Sequence, residues 1–281
     1  MVRFFILGDM GSGEKDQLKV AQAMKKKIDK VKDTFICGLG DNIYEAGVTC
    51  VDDPQFNEKF EIPYKDINVP FYMSLGNHDY GYSNKCLIPQ KNAFNQVKYT
   101  QKSDKWMMPF NYYNFTSDDK NAEFFVLDTN LDMMSERDIE EQKTIMIDKI
   151  KQSKCPWKIV YGHHTLRSVG GHGNAEPEFE KFMRDIFTEA PFHVYMCGHD
   201  HNKQVIRMEI DKKPLLLIVC GTGGKKYHKE VNYHNMIKND SELQCCSNNL
   251  GYGEIIINGK KMKLNFLDEN NKNEFAFNYS I

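Results

Sequence analysis

Five times in this chain, an apolar run of strand length ends in glycine and then presents a side chain able to bind a metal. FFILGD delivers Asp9 and ICGLGD delivers Asp41. YMSLGNHD delivers Asn77 and His78, IVYGHH delivers His163, and VYMCGHDH delivers His199 and His201. The carboxyl ends of strands in a parallel sheet open on one crevice, where ligands bind. Glycine at that point lets the backbone turn sharply, so that the next side chain faces the crevice. Taken singly, an Asp after Gly is an ordinary turn residue, and a strand-end His is an ordinary hydrogen-bonded one. Their recurrence demands a fold in which five strands finish at one place.

The stretches between the runs fit that demand. Helical patterns run from about Lys15 to Lys32, over 135–152 and near 176–189, and Ser135 with Asp138 forms a capping pair for the second. Apolar runs alternating with helices predict parallel β-α-β units. The tail changes character. VIRMEI, PLLLIVCG, YGEIIING, KMKLNFL and EFAFNY are separated by turns such as Asp-Lys-Lys and Asn-Gly-Lys, which predicts an antiparallel closing layer. No linker or repeat divides the chain, so residues 1–281 read as one α/β domain with sheets packed together and helices outside.

Composition excludes several classes. A hydrophobic content of 41% and a charged content of 27% fit neither disorder nor a fibrous protein. The 37 basic and 39 acidic residues leave a net charge of −2, which argues against nucleic-acid or membrane binding by charge alone. The densest basic run, KKKIDKVK, sits on a helical stretch and reads as a solvated face. No run approaches the roughly 18 apolar residues of a membrane span. VRFFIL leads straight into structured sequence, so no signal peptide is expected. Cys37, Cys197 and Cys220 lie in apolar runs and read as buried thiols, whereas Cys50, Cys86, Cys245 and Cys246 lie in polar stretches where disulfides are open. The sequons at Asn114 and Asn278 matter only in a secreted protein.

Oxygen donors mixed with imidazoles suit iron, zinc or manganese rather than thiolate-bound metals. Asp41 is the natural bridge, since one carboxylate holds two ions roughly 3.5–4 Å apart. The ordered set GDMG, GDNIY, GNHD, GHH and GHDH resembles the metallophosphoesterase superfamily, and within it the small, tartrate-resistant-type purple acid phosphatases. WMMPFNYY at 106–113, LDTN at 127–130, GGHG at 170–173 and CGTGG at 220–224 extend the resemblance over nearly the whole chain. It implies a four-layer α/β/β/α sandwich of two mixed sheets flanked by helices, with the metals at the carboxyl ends of strands. It also implies one metal on Asp9, Asp41, Tyr44 and His201 and another on Asp41, Asn77, His163 and His199. His78 and His172 would hold the phosphate and help the leaving group depart; Asp200 would orient the ligands beside it, and His164 would lie at the rim. His193 reads as a strand residue, and His228 and His234 have no motif.

A phenol with a pKa near 10 is a poor ligand for a divalent ion, so Tyr44 argues for Fe(III) in the first site, as the resemblance does. The second ion would be divalent Fe, Zn or Mn. The implied reaction is hydrolysis of a small phosphomonoester or phosphoprotein by in-line attack of a metal-bound hydroxide, fastest at acid pH. A monomer is expected, and a secreted or vacuolar location if a leader was trimmed. Two alternatives stand beside this: a scaffold that has lost activity, and a phosphodiesterase or nucleotidase using manganese or zinc. The intact ligand set speaks against the former and Tyr44 against the latter. The chain also departs from the mammalian relatives. LDTN runs almost directly into SERDIEEQ, so no clipped activation loop is expected, and neither LDTNLDMM nor GGHGNAEPEF offers a cysteine for their disulfide. Lys225, Lys226 and His228 follow CGTGG and read as a solvated loop.

Overall fold

The computed structural model describes residues 1–30, 34–81, 89–225 and 240–281. Strands β1 (Val2–Leu7), β2 (Thr34–Gly38), β3 (Phe71–Met73) and β4 (Trp106–Met107) lie side by side and parallel. A second sheet holds β5 (Tyr113–Thr116), β6 (Ala122–Val126), β7 (Trp157–Tyr161) and β8 (Val194–Cys197), with only β5 antiparallel to its neighbour. The later strands are β9 (Lys203–Ile210), β10 (Lys213–Cys220), β11 (Ser241–Ser247), β12 (Gly251–Asn258), β13 (Lys261–Asp268) and β14 (Asn273–Ser280). They complete two seven-stranded sheets, ordered β14-β13-β12-β1-β2-β3-β4 and β11-β9-β10-β8-β7-β6-β5.

The tail is antiparallel as expected where β12–β14 and β9–β11 pair, and its strands complete the two mixed sheets that the resemblance implied. Each hairpin adds to an existing sheet, where its backbone groups meet a ready partner and its apolar face joins an existing core. The Asp-Lys-Lys turn joins β9 to β10 with φ of 50° at Asp211 and 63° at Lys212, the left-handed pair of a tight hairpin. β11 was not foreseen; it places Cys245 and Cys246 on a strand rather than in a polar loop. Cys37, Cys197 and Cys220 are buried as expected, and burial pushes their thiols up, Cys220 to about 12. All seven described cysteines are free; Cys86 lies outside the described residues.

Helices α1 (Lys15–Ile28), α2 (Pro89–Tyr99), α3 (Glu136–Gln152) and α4 (Pro177–Glu189) complete the layers. Three of them match the helical patterns of the sequence, and the Ser135 hydroxyl caps α3 by accepting from the Asp138 N–H at 3.2 Å. α2 had no counterpart in the pattern reading. α1 covers the first sheet at β12, while α3 and α4 pack together over the second at β9. The basic run only partly matches a solvated face: Lys25 pairs with Asp29 at 2.7 Å, but Lys27 reaches the buried Glu254 at 3.3 Å. No helix among the described residues is long and apolar enough to cross a membrane.

The central strands are apolar on both faces because both are covered. In β6 and β7, Phe124, Val126, Ile159 and Tyr161 point into the space between the sheets, while Phe125 and Val160 point toward α3 and α4. Phe124 lies at the centre of the inter-sheet core. Its ring meets Phe4 at 5.0 Å and Phe35 at 5.2 Å from the first sheet, and stacks on Phe115 at 4.8 Å in its own. Phe124→Ala should therefore cost about 3–5 kcal/mol, read as a lower urea midpoint with an unchanged slope.

Candidate metal centre

The strand ends meet as the glycine pattern requires. β1, β2 and β3 of the first sheet and β7 and β8 of the second all finish at one pit. Asp9, Asp41 and His199 each have positive φ, at 55°, 52° and 68°. Non-glycine residues rarely adopt that conformation, and the cost is tolerated at sites that aim a side chain. The glycines give room as well as turn. A Cβ on Gly40 (φ +84°) would lie 2.6 Å from His163 Nδ1, and one on Gly76 would lie 2.2 Å from Asp41 Oδ1.

All seven expected ligands come together. Tyr44 Oη donates to Asp9 Oδ1 at 3.0 Å and lies 3.1 Å from His201 Nε2, which is itself 3.3 Å from Asp9 Oδ1. Beside this trio, His163 Nε2 lies 3.4 Å from Asp41 Oδ1, 3.1 Å from Asn77 Oδ1 and 3.2 Å from His199 Nδ1. Asp9, Asp41 and His163 can each offer a ligand atom within 4.8 Å of the others, and all three are buried. The His163 Nδ1–H donates to the Leu39 carbonyl at 2.8 Å, which leaves Nε2 directed at the carboxylates. His78 is fixed in the same way: its Nδ1–H donates to the Glu45 carbonyl at 2.6 Å, and its Nε2 lies 3.9 Å from Asp41 Oδ2.

The electrostatics are those of a site that asks for cations. Burial pulls the His163 imidazole down, but the charge and hydrogen bond of Asp41, with Asp9 behind it, hold it at about 9. Burial opposes ionisation of Asp41 too, yet the imidazoles of His163 and His78 hold it well below the usual carboxylate range. Burial, then Asp41 and Asp9, pushes the Tyr44 phenol well above its ordinary value. His199 is pushed down by burial and by its neighbours His164 and His163, which favours the neutral ring.

The outer residues are placed differently from one another. His78 packs on Tyr44 with ring centroids 4.4 Å apart, and His172 lies over His199 at 3.9 Å. His164 accompanies the second group, with its ring 4.7 Å from His199 and Nδ1 2.8 Å from the Thr129 hydroxyl. Burial, then the His163 charge, pushes it down to about 3. The Asp200 carboxylate accepts from the Ser168 hydroxyl and from the His172 N–H at 2.9 Å, so it anchors the loop that carries His172. His193 is a structural residue, accepting from the Lys158 N–H at 3.0 Å, while Lys226, His228 and His234 lie outside the described residues.

Other residues emerge only in three dimensions. Asp79 ends the GNHD motif and joins the two acidic loops, accepting from the N–H groups of Asn42 at 2.9 Å, Ile43 at 3.1 Å and Gly76 at 2.8 Å. Burial and the charge of Asp41 raise it to about 6. The Thr129 hydroxyl of LDTN receives the N–H groups of His163 and His164, both at 3.1 Å. The motifs containing both residues were visible in the sequence; their roles as clamps were not. A cavity of about 410 Å³ opens beside the centre, lined by His164, His172 and His199, by Leu131 and Phe179, and by acidic side chains such as Glu178.

Comparison with known proteins agrees with this geometry. The calcineurin-like phosphoesterase family profile matches residues 2–203, a span that includes all five strand-end motifs. The chain is 29% identical over 252 residues to purple acid phosphatase 17 of Arabidopsis thaliana, covering 82% of this chain and 71% of that protein. It is 28% identical over 249 residues to tartrate-resistant acid phosphatase type 5 of Oryctolagus cuniculus, covering 79% and 73%. Among solved structures, purple acid phosphatase PPD1 from Lupinus luteus seeds superposes with a TM-score of 0.77 at 16% identity, covering 99% of this chain and 53% of that one. GAP50, the anchor in the inner membrane complex of Plasmodium, superposes with a TM-score of 0.82 at 23% identity, covering 100% and 89%. The two structural likenesses show a shared fold.

The pairing of His163 with the carboxylates has a measurable cost when metal is withdrawn. Its pKa is raised from 6.5 to about 9, so the stability it contributes is complete below about pH 6.5 and is lost as pH climbs through about 9. His201, raised by Asp9 against burial, acts with the same sign. Chelator-treated protein should lose on the order of 3 kcal/mol of unfolding free energy between pH 6.5 and 9. Asp41→Asn should flatten that slope in urea melts; a wild type without the slope would contradict the pairing.

Proposed function

The chain belongs to the calcineurin-like phosphoesterase family, and from that premise we propose that it is an acid phosphatase of the purple type, hydrolysing phosphate monoesters with two metal ions. The observation that carries this reading is Tyr44, whose hydroxyl lies in the buried carboxylate pit within reach of Asp9 and His201. A phenol pushed above its ordinary pKa ionises there only against a strong Lewis acid, which favours Fe(III). Asp9, Tyr44 and His201 would hold that ion, Asp41 would be shared, and Asn77, His163 and His199 would hold a divalent Fe, Zn or Mn ion. The donor set fits such a pair: three hard oxygens with one imidazole on one side, two imidazoles with an amide oxygen on the other. When bound, the ions supply Lewis acidity, a lowered pKa for water and positive charge for a phosphate dianion.

The chain's own residues do the rest. His78, packed on Tyr44, and His172, packed on His199, flank the centre from its two halves and bind the phosphoryl oxygens. With Nδ1 committed to the Glu45 carbonyl, His78 has Nε2 as its exchangeable proton site. His172 stands at the wall of the 410 Å³ cavity, so the departing alcohol lies nearer to it, and it is the residue that protonates the leaving oxygen. The cavity has room for a leaving group of some size, and Leu131 and Phe179 in its lining offer apolar contact to an aryl group. A scaffold role would not require this donor set, and a manganese or zinc phosphodiesterase would have no use for Tyr44.

Purified protein loaded with iron should be violet and should hydrolyse an aryl phosphate best near pH 5, with activity falling away above about pH 8. Asp41→Asn should lower kcat by on the order of 10²–10³ or more, since it removes the shared ligand. His172→Asn should cost about 10²-fold or more with an aliphatic leaving group and much less with an activated aryl one. Tyr44→Phe should bleach the colour. A colourless, zinc-only protein whose properties are unchanged in Tyr44→Phe would overturn the ferric assignment.

A further inference from the structure

Lys225 follows the CGTGG run that leads out of β10, and its ammonium lies 4.8 Å from the centroid of the Tyr44 ring. The residue is fastened at both ends. Its backbone N–H donates to the Asp9 carbonyl at 3.2 Å, and its Nζ is held by Glu45 Oε1 at 2.8 Å, with Glu14 at 4.0 Å. Just before it, Gly224 packs so closely that a Cβ there would lie 2.5 Å from the Met10 carbonyl oxygen. One residue is therefore tied to both loops that would carry the ferric site, through its backbone to Asp9 and its side chain to Glu45, and its cation faces the ring of the would-be phenolate. A cation over an aromatic face is attracted by the ring, and by far more when that ring carries a full negative charge.

We propose that Lys225 is a positioning residue for the Tyr44 phenolate. Its charge stabilises the anion and so sets how strongly the tyrosine donates to the iron. Glu45 is the counterweight, drawing off part of that charge while it fixes the ammonium in place. The inference rests on the reading of Tyr44 as an Fe(III) ligand. A charge above the ring lowers the phenolate donor orbitals, which widens their gap to the ferric acceptor orbitals. Weaker donation also makes Fe(III) easier to reduce.

The test is the visible spectrum and a reductive titration of the iron-loaded protein. Lys225→Met should move the charge-transfer band to longer wavelength and make the iron harder to reduce. Each tenfold change in the preference for Fe(III) over Fe(II) corresponds to about 59 mV for this one-electron couple. Lys225→Arg should restore the wild-type band. Glu45→Gln, which leaves the ammonium unneutralised, should move the band the opposite way, a sign reversal that loosening of the loop would not produce. A violet wild type whose band stays put in Lys225→Met at full iron content overturns this inference alone, as would same-direction shifts in Lys225→Met and Glu45→Gln. A wild type that binds no iron overturns the ferric reading and this inference with it.

Discussion

Two carboxylates, Asp9 and Asp41, are buried close enough to share a ligand with His163, and neither has bulk water to dilute its charge. Like charges at that separation are tolerated only if a cation lies among them or one of them takes up a proton. The surroundings are arranged for a cation. The imidazole between them is held protonated to about 9, and Tyr44 is kept as a phenol that donates to Asp9. Metal ions would replace these protons, and a single demand for positive charge accounts for the orientation of His163, the elevated phenol and the raised Asp79.

The same demand explains the location. No one strand end can present so many donors, but three from one sheet and two from the other converge where the sheets' carboxyl edges meet. The cost is local strain: three residues with positive φ, each followed or preceded by tightly packed loops. That strain is borne by a core with aromatic contacts crossing the sheets, as at Phe4, Phe35 and Phe124. Asp79 and Thr129 then bind loop to loop, with backbone N–H donors ending on each. A site that must hold charge apart from water is made rigid by hydrogen bonds to its own backbone.

The strand-end motifs were legible because glycine followed by a donor is a local signal, and each of the seven candidate ligands could be placed from its immediate neighbours. Helices α1, α3 and α4 were legible for a related reason, since each buries one stripe against one sheet. The tail was harder to place. Whether β12 joins β1 or forms a layer of its own depends on which sheet has an open edge, and no local pattern records that. β11 was hidden because its seven residues are only partly buried and lack strong alternation. Asp200 shows the same limit at the site: its neighbours in sequence are candidate ligands, but its carboxylate accepts from Ser168 and His172.

That arrangement of Asp200 gives the GHDH motif a double task. His201 sits with Asp9 and Tyr44 and His199 with His163, while the carboxylate between them in sequence reaches across to the loop of His172. Gly170 is part of the join, since a Cβ there would lie 2.3 Å from the Asp200 carboxylate carbon. The segment that carries His199 and His201 is thereby fastened to the segment that carries the histidine at the cavity wall. His172 then keeps its place over His199 without contributing a ligand atom. If His172 delivers the proton and His199 and His201 hold the ions, as proposed, both tasks depend on one short stretch of backbone. A reaction that needs an imidazole and two ions in register is served by that coupling, because effective concentration falls steeply once the groups drift apart.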